Sequence, residues 1–130
     1  MQQFGSTNVS ILAGLKAAIE FWQQLGPARI EGRIRQLHAY LKAQMAATPG
    51  AVLHSAPWEE FTGGILAVDF PGVERPKLQQ WLYRQHRIRI RGTSPTRLRL
   101  STHVYHSFAD LDRFLAALSD YLGENLRRRR

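Results

Sequence analysis

Leu12, Leu15, Ile19 and Trp22 fall three and four residues apart near the start of the chain, the spacing that lines one helix face with apolar side chains. Gly26-Pro27 stops the pattern. Pro27 suits the first turn of a following helix, where a missing N–H costs nothing. Ile30, Ile34, Leu37, Leu41 and Met45 form the apolar stripe of that second helix, which Thr48-Pro49-Gly50 ends. AVLHS then reads as a short strand, and GGILAVDF, broken by Pro71-Gly72, as a longer and more buried one. Leu78, Trp81, Leu82 and Gln85 fit a short helix. Beyond it the period changes to two. HRIRIR and RLRLS alternate arginine with Ile or Leu, which predicts two strands joined by the turn Gly92 to Pro95. Ile88, Ile90, Leu98 and Leu100 then face a core and the arginines face away from it. Ser107 with Asp110 makes a capping pair, and Leu111, Phe114, Leu115, Leu118, Tyr121 and Leu122 follow at helical spacing.

The element order is therefore α-α-β-β-α-β-β-α, an α+β layer with helices packed on a small, largely antiparallel sheet. No internal repeat or long linker divides the 130 residues, a length that buries roughly two-thirds of its unfolded surface as one domain without metal or disulfide staples. The expected organisation is one domain over 1–126 and a basic tail over 127–130.

Charge changes the picture next. The 18 Lys and Arg against 10 Asp and Glu give a formal net charge of +8, and there is no Cys. Without Cys, thiol nucleophiles, Cys-type zinc sites and persulfide chemistry are excluded. No apolar run approaches the roughly 18 residues that cross a bilayer, and MQQFGSTNVS lacks a charged segment followed by an apolar one. The expectation is a soluble, cytoplasmic protein with no membrane partner. Arg127 to Arg130 read as a solvated tail. Six arginines, at 84, 87, 89, 91, 97 and 99, fall within sixteen residues, and the alternation in HRIRIR and RLRLS places those of these two segments on a strand face.

Other candidate chemistry is thinner. FGSTN ahead of the first helix offers either an N-cap or an anion site at exposed N–H groups, and spacing does not choose between them. His103 and His106 stand three apart at a strand end, with no third ligand at a spacing that builds a metal site. His38 flanks the core stripe of its helix and reads as a boundary residue. Trp22, Trp58 and Trp81 belong to separate elements, so they read as core or interface anchors and not as a base-stacking platform.

GSTN before AGLKAAIEF, the helix RIEGRIRQLHAYL, the strand GGILAVDF, IRIR, and finally LRLSTHVYHSFADLDRFLAAL together resemble the carboxy-terminal small domain of a class V aminotransferase. That is a pyridoxal-phosphate family of fold type I, and the likeness points to its isopenicillin N epimerase and selenocysteine lyase-like branch. RLSTHVYHSFADLD is the most specific part, similar to the family's Arg, Ser and His-x-Tyr-Asn before an acid-capped final helix. The resemblance implies that Arg99 takes the substrate α-carboxylate, a task suited to a planar fork of two parallel donors. It implies that Arg91 is a second substrate-binding arginine at the mouth of the site. Ser6, standing where the family has Thr, or its neighbour Thr7, would reach the phosphate of pyridoxal 5'-phosphate in the opposite subunit of a homodimer. His106 replaces the family's Asn.

In that family a large amino-terminal domain supplies the Schiff-base lysine. Lys16, Lys42 and Lys77 are the only lysines here, and none stands in a Ser-x-x-Lys setting. The resemblance therefore implies the small-domain portion of an enzyme of transamination, epimerisation or lyase chemistry on a small amino-acid substrate, inactive without a large domain or second subunit. The persulfide-forming branch is disfavoured, because Gly92 to Thr96 carries no Cys. The alternatives, ranked below the enzyme reading, are a basic nucleic-acid module using the arginine strands and tail and a non-enzymatic interaction remnant using the apolar surface left by the absent lobe.

Overall fold

A computed structural model describes residues 8–58, 63–92 and 94–127. Ser6, Thr7 and the last three arginines lie outside the described residues. The chain divides into two compact units, one through Gly32 and one from Arg33 onward.

In the first unit, α1 spans Val9–Leu25. Asn8 caps it, its side-chain oxygen accepting from the Ser10 N–H at 3.0 Å and the Ile11 N–H at 3.4 Å. That satisfies two of the amides that a helix start leaves without partners. Gly26 ends the helix with φ +86°, and its N–H donates to the Trp22 and Gln23 carbonyls. The apolar spacing does yield a helix, yet none of its residues is buried.

Helix α2 spans Pro27–Ala47. The second unit continues with β1 (Val52–Leu53), β2 (Ile65–Asp69), α3 (Arg75–His86), β3 (Arg91–Gly92), β4 (Arg97–Ser101) and α4 (Phe108–Arg127). All pairings are antiparallel in the order β1-β2-β4-β3, so the α+β reading holds. Alternation along β2 and β4 sends Leu66, Val68, Leu98 and Leu100 to one face. There they join Leu37, Leu41 and Met45 of α2, Leu78 and Leu82 of α3, and Leu111, Phe114, Leu118 and Tyr121 of α4 in a single buried cluster. Burying each such side chain contributes about 1.5–3 kcal/mol. Trp81 packs against the cluster, its ring edge-on to Tyr121 at 5.3 Å, whereas Trp22 and Trp58 are exposed.

Two expectations need correction. HRIRIR does not form a strand along its length, since only Arg91 and Gly92 pair with β4. Arg87 turns the chain out of α3 with φ +56°, the Ile88 N–H donates to the Leu82 carbonyl, and the Gln79 amide donates to the Ile90 carbonyl at 2.7 Å. The backbone of 88–90 is thus satisfied partly by α3. Ile88 and Ile90 still pack on the core, so the period-two burial survives without a ladder.

His38 is the second correction: it is buried, at 3% exposure, and not a boundary residue. Among the described residues neither ring nitrogen has a hydrogen-bond partner. Burial first, and the Lys42 charge second, lower its pKa below the ordinary histidine value. The folded protein thus disfavours the imidazolium, while the unfolded chain binds the proton near pH 6.5. Stability is fully present above that pH and falls as acid takes the solution through the unfolded-state value toward the lower folded one. His38→Leu should remove this pH dependence and, by eliminating unsatisfied buried polar atoms, raise stability by about 1–2 kcal/mol. Urea titrations at pH 5 and pH 8 check it; a variant that keeps the acid loss would contradict the assignment to His38.

Candidate functional site

The candidate face grows out of the β4 alternation. With Leu98 and Leu100 buried, Arg97, Arg99 and Ser101 point to the opposite face of the sheet. Arg97 and Asp69 are directly opposed in the register. The Arg97 guanidinium donates to both carboxylate oxygens, Nε to Oδ1 at 3.3 Å and Nη2 to Oδ2 at 3.1 Å. His54 Nε2 lies 2.9 Å from Asp69 Oδ2. The Arg97 hydrogen bond is the chief reason the Asp69 carboxyl sits below the usual carboxylate range, against the opposite effect of burial. Arg97 is therefore committed to a structural ion pair.

Arg99, two residues along the same face, has a different environment. It stands between Ala67 of β2 and Arg91 of β3 in the register, and it is exposed. Among the described residues neither Arg99 nor Arg91 has a carboxylate partner. The ladder between β3 and β4 stops at this pair, so β4 from Leu100 onward has no β3 partner. Beside it opens a cleft of about 480 Å³, lined on its polar side by Arg91, Arg99, Tyr105, His106, Asp110 and Arg113.

Most other ionic groups around the cleft are already engaged. Arg87 and Arg89 stack on the Tyr83 ring at 5.7 and 4.5 Å, and Arg89 donates to the Tyr83 hydroxyl at 3.2 Å. Asp110 accepts from the Ser107 N–H at 2.9 Å and from its hydroxyl at 2.7 Å, while the Ser107 hydroxyl accepts from the Asp110 N–H. The capping pair is thus formed in both directions, and the Ser107 N–H is the leading cause of the lowered Asp110 pKa. His106 Nδ1 accepts from the His103 N–H at 3.0 Å, and the His106 N–H donates to the His103 carbonyl at 3.0 Å. No group of three metal-ligating side chains occurs among the described residues.

The loop bordering Arg91 is fastened to α3. Arg75 Nε donates to the Ser94 carbonyl at 2.6 Å, its Nη1 to Gln79 Oε1 at 2.6 Å, and its backbone N–H to the Pro95 carbonyl at 2.8 Å. Sequence reading missed this fastening and the participation of Arg113. The Arg113 signal was available, because it stands three residues after Asp110 and so on the same side of α4.

The described residues do not by themselves fit a pyridoxal-phosphate cradle. Lys16 pairs with Glu20, Lys77 with Glu74, and Lys42 donates to the Ala56 and Pro57 carbonyls. None of them lines the cleft, and Ser6 and Thr7 lie outside the described residues. The cleft's polar lining includes the guanidiniums of Arg91, Arg99 and Arg113 beside the Asp110 carboxylate.

A family model described as aminotransferase class V matches residues 1–114. The chain belongs to the class V aminotransferase family. It is 30% identical over 112 residues to isopenicillin N epimerase of Streptomyces clavuligerus, a match spanning 82% of this chain and 28% of that protein. The fold is similar to that of a cysteine desulfurase from Thermococcus onnurineus NA1, with TM-score 0.83 and 19% identity over 94% of this chain and 33% of that one. It is also similar to that of the cystine C–S lyase C-DES, with TM-score 0.72 and 23% identity over 83% of this chain and 28% of that one, which has been solved with glycine covalently linked to its PLP cofactor. This class V chain thus spans about a third or less of the length of these relatives. No described helix is long and apolar enough to cross a membrane.

Proposed function

We propose that this chain supplies the substrate-carboxylate end of a pyridoxal-phosphate-dependent class V enzyme acting on a small amino acid. Its small domain spans 1–126, with 127–130 as a basic tail. One observation carries the reading: Arg97 is locked to Asp69, while Arg99 on the same face keeps its fork uncommitted and lines a cleft. An exposed strand arginine is ordinary by itself, and the class V match over residues 1–114 supports reading this one as the carboxylate grip. When bound, pyridoxal phosphate supplies the electron sink, and its phosphate is the group that Ser6 or Thr7 would contact across a cytoplasmic homodimer. Arg99 holds the α-carboxylate through two parallel charge-assisted hydrogen bonds and so fixes the orientation of the amino acid. The uncovered apolar stripe of α1 gives the rest of such an enzyme a surface on which to seat.

The test joins this chain behind the amino-terminal portion of the Streptomyces relative. The chimera should show a change in cofactor absorbance on adding an amino acid, and that portion alone should not. A folded, cofactor-loaded chimera that is indifferent to every amino acid would sink the reading.

A further inference from the structure

The geometry points to a substrate with two anionic groups, an amino acid bearing a second carboxylate, with Arg99 holding the first and Arg91 the second. This rests on the Arg99 reading above and extends it to the substrate class.

Arg91 and Arg99 are cross-strand partners, so their side chains leave the same face with Cβ atoms about 5 Å apart, and like charges so placed destabilise a strand pair. Among the described residues neither Arg91 nor Arg99 makes an ion pair. Asp69 is taken by Arg97 and His54, and the Asp110 carboxylate in the cleft lining is held by Ser107 and interacts with His106 and Arg113. Arg87 and Arg89 are drawn to Tyr83. Two guanidiniums therefore stand side by side without an ion pair at the edge of a 480 Å³ cleft.

One carboxylate has about four lone-pair sites and can bridge two guanidiniums, but it sets a single negative charge against two positive ones. Half of the like-charge pair then stays uncompensated. A ligand with a second carboxylate a few carbons away neutralises both. The strand spacing and the reach of two arginine stems suit skeletons of succinate or glutarate length. Fastening of the adjoining loop by Arg75 restrains the strand end that carries Arg91, which lowers the ordering cost of using it.

The experiment titrates the full 130-residue chain with glutarate and with butanoate at constant ionic strength, following the arginine Nε–Hε resonances. Glutarate should shift both Arg91 and Arg99 and bind about tenfold or more tightly than butanoate, through the effective concentration of the tethered second carboxylate. Within the Arg91→Ala variant, glutarate and butanoate should bind within about twofold of each other, because the tethered second carboxylate has lost its partner. A glutarate preference that survives Arg91→Ala overturns the inference but leaves the Arg99 reading standing. Butanoate binding that is indifferent to Arg99→Ala overturns the Arg99 reading itself. Tighter binding of inorganic phosphate than of glutarate overturns the dicarboxylate class in favour of a compact anion. A chain that binds none of these anions also overturns the inference, and the amino-acid response of the chimera then decides the Arg99 reading alone.

Discussion

Gly92→Ala is expected to destabilise the protein by about 3 kcal/mol, a large effect for one methyl group and at the upper end for overpacking. A Cβ at this position would collide with the Arg75 Cδ and with the Arg97 backbone carbonyl. Neither can yield cheaply. The Arg75 side chain is held beyond Cδ by hydrogen bonds to Ser94 and Gln79, and the Arg97 carbonyl belongs to β4, the strand between β2 and β3. Glycine in a strand commonly marks such a close approach. Chemical denaturation measures the loss. Arg75→Ala in the Gly92→Ala background should recover only part of it, because the side-chain clash is relieved while the collision with the carbonyl remains. Stability within about 0.5 kcal/mol of the parent, the range of an ordinary surface change, would show that the loop is not packed as described.

Apolar periodicity made the long elements legible. Met45, Leu82 and Leu118 lie on stripes visible in the sequence, and each is fully buried. The failures came where a side chain satisfies backbone that the pattern assigns to a ladder. Gln79 and the turn at Arg87 draw residues 88–90 toward α3, and no hydrophobic count contains that information. His38 misled for a related reason: polarity suggested a boundary, but packing between neighbouring elements buried it without hydrogen-bond partners.

The site was readable only in part. The alternation in RLRLS shows which arginines share a face, but not that Asp69 would engage Arg97 and leave Arg99 uncommitted. That distinction depends on the β2–β4 register, in which Asp69 opposes Arg97 and Ala67 opposes Arg99. A one-residue slip would reverse the facing of every side chain on the strand.

The largest functional effect should fall on Arg99. In the chimera loaded with pyridoxal phosphate, Arg99→Ala removes both members of a charge-assisted fork and should weaken amino-acid binding about 100-fold, the equivalent of about 2.7 kcal/mol. Arg99→Lys keeps the charge and loses the fork, so it should fall between the parent and the alanine variant. Arg97→Ala should lower stability by freeing Asp69 and should change amino-acid affinity far less. The most direct measurement is a spectroscopic titration of Arg99→Ala with both an amino acid and the cofactor. Selective loss of amino-acid affinity with cofactor affinity preserved is the predicted result. Unchanged amino-acid affinity, or an equal loss of both ligands, would contradict Arg99 as the carboxylate grip.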